Sequence, residues 1–375
     1  MAPWGTIKVQ FVTPTTAQLR VQLADLGAEY PQVGLDDVDV DVNEDEGTQS
    51  HHVADERQRT GSAILKETSG SAFAATKFVR RGCPNGIRPA LWRRVLCPVD
   101  SDEERLRYDQ LVEEVVRYDL LTDKLTVAET KRLASFDDNF FVFEDLIKQT
   151  LLAFSRDGTV VEDLHCSRPR TPKGKIKVRK GAPGSSDEAG SVGSAKEVRY
   201  PPSGVLPFLG MGYYVAPLCF VYAEPAEVYT VFRTLYTRYF CKLHSINSHP
   251  EGLLRLCLLF EQLLQAHQPH LFLHLQTIGV EPLDIALPWI VTAFGDVLPP
   301  TEVLLLWDRV IGFDSLVLVP VLATAIFAYR RSALFEATSA KRAVKILSDC
   351  AELKVVPLLQ FCLFVASDGK AVPEE

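Results

Sequence analysis

The sequence has no Cys-x-x-Cys pair, no secretory leader pattern at its start, no Walker loop and no Gly-x-Ser-x-Gly turn. The first absence leaves eight scattered cysteines, which favours buried thiols in a reducing compartment over a disulfide framework. The missing leader agrees with a cytoplasmic location, with membranes reached through partners. The last two absences, together with the lack of any Cys/His/Asp nucleophile arrangement, leave no signature of an enzyme in its own right and no cofactor to expect. Positive charge is not in excess either. A net charge of −8 gives no global pull toward nucleic acid or an anionic membrane.

Long uncharged runs are scarce. Val310–Tyr329 comes nearest, but Asp314 interrupts it early and Pro320 sits in its middle. The charge-free part, Ser315–Tyr329, is too short to cross a bilayer untilted. It reads as a buried core helix, and no transmembrane segment is expected.

What is present is ordinary for a protein with a sizeable core: 375 residues, 47% hydrophobic and 23% charged. Residues 1–77 read as a partly disordered N-terminal extension. It holds a strand-like Ile7–Val12, a possible short helix over Thr15–Leu26, and an acidic stretch, Asp36–Glu46, that runs as a polar linker to Ser71. Order is expected from Phe78. Pro89 suits a first helical turn, with Leu91, Trp92 and Val95 following at helical spacing. Glu103–Thr122 is predicted as a helix whose stripe is Leu106, Leu111, Val115, Val116 and Leu120. Asp137–Phe154 is another, with Asp137 or Asp138 as its cap and Phe141, Leu146, Leu151 and Phe154 on its buried side.

Between Cys166 and Lys196 the helical pattern disappears, replaced by a basic run and then a Gly/Ser/Ala-rich one. This reads as a flexible insertion inside the domain. It has no interleaved aromatics for base stacking, so a nucleic-acid site is not expected. After Tyr200-Pro-Pro-Ser-Gly, helical segments follow one another as far as Leu347, several opening on proline. Strand-type alternation is nearly absent after residue 78. The expectation is an all-α domain over 78–330 of roughly a dozen helices, followed by a helical extension and tail over 331–375.

His267, His270 and His274 sit near one helical face, but Pro269 breaks the helix and no acidic or cysteine partner is near, so no metal is expected. Cys219, Cys241, Cys257 and Cys362 sit on apolar faces, where thiols act as small hydrophobes.

Four stretches carry a family resemblance. Gly86-Ile87-Arg88-Pro89-Ala90-Leu91-Trp92 is followed by Leu209-Gly210-Met211, by Trp289 with Phe294, and by Leu306-Trp307-Asp308. In this order and spacing they resemble the TBC domains that activate Rab GTPases. The resemblance implies a helical Rab-GAP-type fold, a GTP-bound small GTPase of the Rab family as partner, and a place in vesicle trafficking. It further implies two fingers: an Arg in Ile-x-x-Asp-x-x-Arg that neutralises charge on the phosphates, and a Gln in Tyr-x-Gln that positions the attacking water. Val142–Lys148 aligns with the first motif, with Asp145 matched and Lys148 in place of Arg. Lys keeps the charge but lacks the planar donor fork. Arg156 is the alternative finger, farther along the same helix. In the second motif Pro207 replaces Tyr and Leu209 replaces Gln, and Leu cannot hold a water by hydrogen bonding. With both fingers altered, the resemblance implies weak activation, or alternatively an inactive module that binds a Rab or another protein as a scaffold.

Overall fold

The computed structural model describes residues 13–27, 44–66, 72–97, 101–136, 139–166, 201–244 and 251–364. The elements are α1 (Thr16–Gln22), α2 (Glu44–Lys66), α3 (Ala72–Val79), α4 (Arg88–Leu96), α5 (Ser101–Arg117), α6 (Asp123–Phe136), α7 (Glu144–Arg156) and α8 (Thr159–Cys166). Then come α9 (Pro225–Arg238), α10 (Leu253–His267), α11 (Pro269–Thr277), α12 (Pro282–Val291), α13 (Pro300–Phe313), α14 (Leu318–Tyr329), α15 (Arg331–Phe335), α16 (Ala340–Ser348) and α17 (Val355–Phe364). Short 3-10 turns join several of them, and no strand occurs among the described residues. The fold is that expected from the helical periodicity. The strand-like Ile7–Val12, the acidic residues up to 43 and all of the Cys166–Lys196 insertion after Cys166 lie outside the described residues.

Proline opens α9, α11, α12 and α13, where its missing N–H costs nothing. The centre is α14, buried along nearly its whole length, with α10, α12 and α17 around it. A helix apolar on all sides must be enclosed by others, which is the role the sequence assigned to this run. No helix among the described residues is long and apolar enough to cross a membrane. Trp92, Trp289 and Trp307 are all buried.

Three local expectations differ from the structure. The polar stretch read as linker up to Ser71 contains α2 instead. Gly61 of α2 lets the helix press against Ile87 and Phe78, and Arg57 lies over the Phe78 ring at 4.0 Å while donating to the Gly82 carbonyl at 2.7 Å. In α5 the buried side chains are Tyr108 and Leu111, while Leu106 and Val116 face solvent on the opposite side. Phe141 is 65% exposed, not buried. The chain makes a 3-10 turn over Phe141–Phe143 and only then enters α7, so Phe141 is out of phase with the helix's buried stripe. The cap positions Asp137 and Asp138 are outside the described residues.

Candidate functional site

Asp308 ties the first and last motif stretches together. Its carboxylate accepts the Trp92 indole N–H at 2.7 Å and the Cys83 backbone N–H at 2.9 Å, and pairs with the Arg88 guanidinium at 3.3 Å, all out of solvent. A buried charge survives only when paired and hydrogen-bonded in this way. The neighbouring Trp307 donates from its indole to the Ala293 carbonyl at 3.1 Å. Ala293 and Phe294 both have positive φ, 49° and 65°, a left-handed pair that only tight packing sustains. The next residue, Gly295, passes so near the Tyr213 carbonyl that a Cβ there would lie 2.8 Å from it.

Through this contact the Trp-Asp helix, α13, supports the Gly-Met turn. Gly210 takes φ 93°, which L side chains adopt only with strain. Its N–H donates to Glu129 Oε1 at 2.7 Å. At Gly212 three elements converge: an added Cβ would lie 3.1 Å from Leu133 and 3.8 Å from Glu129, both on α6, and 3.9 Å from Ile147 on α7. In the chain, Leu209 comes just before Gly210 and Lys148 just after Ile147.

Leu209 is 73% exposed. The Lys148 ammonium sits 2.5 Å from Asp145 Oδ1, with side chains 31% and 84% exposed. A surface pair three residues apart on a helix is worth only about 0.3–0.5 kcal/mol, so Lys148 can exchange Asp145 for another anion. Phe141, Val142 and Phe220 are exposed apolar side chains beside the start of α7, with Phe220 set edge-on to Phe143 at 4.9 Å.

Arg156 is placed elsewhere. It lies at the far end of α7, buried, with its guanidinium on both oxygens of Asp123, on the Tyr118 carbonyl and on Ser155 Oγ. Next to it Asp157 accepts from Tyr229 at 2.5 Å and from Arg107 and Arg233, each at 2.8 Å. Burial pushes the Asp157 carboxyl up, but the hydrogen bonds from Tyr229, Thr159 and Arg107 and the charge of Arg233 outweigh it and hold it well below the usual carboxylate range. These groups bolt α5, α6, α7 and α9 together.

The histidines are engaged separately: His267 with the Thr16 hydroxyl at 3.0 Å and His274 with the Ala337 carbonyl at 3.1 Å. Among the described residues no group of His, Cys, Asp and Glu could hold a metal ion. Sequence reasoning missed α6 and with it Glu129 and Arg132. The buried stripe of α6 is Thr126, Glu129, Thr130 and Leu133, helical in spacing but mostly polar, so a search for apolar periodicity passes over it.

Residues 208–335 match the Rab-GTPase-TBC domain family model, a span that takes in Leu209 and Trp307 but not Lys148. Over that span the chain resembles the TBC domain family, on a helical architecture. It is similar to human TBC1 domain family member 19, at 42% identity over 363 residues, 96% of this chain and 65% of that protein. A TBC domain-containing protein kinase-like protein of Dictyostelium discoideum is 32% identical over 97 residues, 26% of this chain and 9% of its own length. The chain thus spans less than two thirds of either relative. Among solved structures, the Ypt/Rab-GAP domain of Gyp1p superposes with a TM-score of 0.59 at 12% identity, covering 82% of this chain and 97% of that one. The Chlamydomonas flagellar RabGAP TBC domain gives 0.52 at 13% identity, covering 84% and 97%. At such identities these two speak for the fold alone.

Proposed function

We propose that this chain docks a GTP-bound small GTPase of the Rab family on the face around Gly212, and that it accelerates GTP hydrolysis there weakly. The observation that carries the reading is that Lys148 and Leu209 each adjoin in sequence a residue packed at the Gly-Met turn, Ile147 and Gly210, with both side chains reaching solvent. That is what two groups entering a partner's nucleotide site require. Lys148 supplies a positive charge near the phosphates. Leu209 offers nothing to hold a water, so the GTPase must use its own Gln. An intact arginine finger is worth roughly 10³–10⁵ in rate, and a lysine recovers only part of it. Arg156 is assigned a structural role, since withdrawing it would strip a buried Asp123 pair and the Tyr118 carbonyl of their partner.

Single-turnover GTP hydrolysis across a panel of Rab proteins tests this. Lys148→Ala should lower the acceleration and Leu209→Ala should leave it nearly unchanged. Lys148→Arg combined with Leu209→Gln should raise it. A second reading, a scaffold that binds without accelerating, draws on the exposed apolar side chains Leu206, Leu209, Phe141 and Val142, which suit docking and need no chemistry. Binding to a GTP-loaded Rab with no rate change on any member of the panel selects it.

A further inference from the structure

We propose that the outer face of α16 is a docking surface for a membrane leaflet rich in anionic phospholipid, with Lys341, Arg342 and Lys345 as its charge contacts. The proposal goes beyond the GTPase-docking reading and needs neither finger position.

The sequence of α16 is Ala-Lys-Arg-Ala-Val-Lys-Ile-Leu-Ser, with three cations and no carboxylate. Ala343 and Leu347, one turn apart, are buried and hold the helix to the body of the protein. Lys341 and Lys345, also one turn apart, fall on the opposite side at about 100° per residue and are exposed. Arg342 and the half-exposed Val344 lie at the flanks. The helix packs on α15, which adds an exposed Arg331. Arg330, between α14 and α15, donates to the Asp349 carbonyl at 2.9 Å, just past the end of α16. Tyr329, the last residue of α14, is 58% exposed. The nearby carboxylates in the chain, Glu336, Asp349 and Glu352, all lie outside α15 and α16. None of them pairs with the three α16 cations, which form no ion pair or side-chain hydrogen bond among the described residues.

Folding does not account for these charges. Lys341 and Arg342 stand in the first turn of α16, where unpaired backbone N–H groups give the helix end a partial positive charge and favour Asp or Glu. No carboxylate occupies that turn, and the Ser339 side chain does not cap it. Arg88 and Arg233, by contrast, are fixed by the buried carboxylates of Asp308 and Asp157. The α16 cations are unrestrained. Such charges suit a sheet of laterally mobile phosphates, which rearranges to meet them, better than one peptide carboxylate that calls for a pre-set fork. Tyr329 and Val344 supply the amphipathic and small apolar groups that settle at headgroup level. With a net charge of −8, the chain as a whole gains nothing from an anionic leaflet, so a local excess of cations both permits the contact and sets its orientation.

Co-sedimentation of the full chain with phosphatidylcholine vesicles, with and without a quarter of the lipid replaced by phosphatidylserine, tests this. The protein should bind only the serine-containing vesicles, and less as salt is raised. Each Lys or Arg near an anionic leaflet strengthens binding about fivefold. The triple variant Lys341→Ala, Arg342→Ala, Lys345→Ala should therefore lose about a hundredfold in partition coefficient. Its melting temperature should stay level or rise, because two cations have left a helix N-terminus. Lys341→Arg with Lys345→Arg should bind as the wild type does, and Tyr329→Ala should cost a few-fold. Unchanged vesicle binding by the triple variant overturns the proposal and gives the binding to another basic stretch, such as Arg168–Lys180. A triple variant that melts far below the wild type overturns it too, since the cations would then serve the fold. So does a wild type that ignores both vesicles, and capture of a polyglutamate peptide in that case marks an acidic protein as the occupant. None of these readouts involves a GTPase, so failure here leaves the proposed function standing.

Discussion

Asp308, in the Leu306-Trp307-Asp308 stretch, and Asp145, in the stretch aligned with the first finger motif, are treated oppositely by the fold. Asp308 is fully buried and holds Arg88, Trp92 and Cys83 at once. Asp145 is 84% exposed and holds one lysine. Around α13 every polar atom of the motif is spent inside the protein, so folding itself dictates the residue type. At the start of α7 and at Leu209 folding places almost no demand, and only a partner would. A fold can therefore keep its architectural residues while its chemical ones change, with no penalty in stability.

The sharpest way to break this comparison is Asp308→Ala. It strands the Arg88 charge and leaves the Trp92 and Cys83 N–H groups without an acceptor. A loss of about 3–5 kcal/mol is expected, read as a large drop in the urea midpoint or as failure to accumulate folded protein. Asp157→Asn should cost about 1–3 kcal/mol at neutral pH. Because the Asp157 carboxyl is held below its ordinary range, its contribution is complete above the unfolded value near 4 and fades as pH falls toward the folded one. The gap between wild type and variant should be full at pH 7 and narrow below about 4.

His244 gives a smaller effect with a different window. Burial among Phe208, Tyr214 and Tyr236 pushes its pKa down from 6.5 to about 4. The unfolded chain takes up this proton first, so the stabilisation is complete above about 6.5 and is lost as pH falls toward 4. An NMR titration should find the ring neutral at pH 5, and His244→Gln should flatten stability across that interval. Smallest of all, Leu209→Gln and Lys148→Ala should each move stability by no more than about 0.5 kcal/mol. Any large shift in the melting temperature from either would show that the finger positions are architectural after all.

Legibility followed the same division. Where burial is apolar the sequence announced it: α14 as an enclosed helix, Leu91 and Trp92 at helical spacing, proline at helix starts. Where burial is polar it did not. Thr126, Glu129 and Thr130 form the inner stripe of α6, and their cost of burial is offset by hydrogen bonds that no periodicity reveals. Phase errors arose at the helix ends. Phe141 falls on the buried stripe only in a helix that starts before Glu144, and the 3-10 turn there rotates it outward. The hydrogen bond that holds Gly210 depends on Glu129 of α6, which apolar periodicity does not reveal.

The pairing of α1 with α17 has a consequence in time. Arg20 donates to the Leu363 carbonyl, a contact between residues 343 positions apart, and Gln360 returns a hydrogen bond to the Leu26 carbonyl at 2.7 Å. A ribosome adding about 5–20 residues per second needs roughly 17 to 70 s to make that distance. For that interval Leu19, Leu23 and Leu26, all buried in the finished protein, lack α17, which packs on this segment. Closure of this clasp is thus a late event, and the leucines of α1 are the surface that a chaperone would meet on the nascent chain.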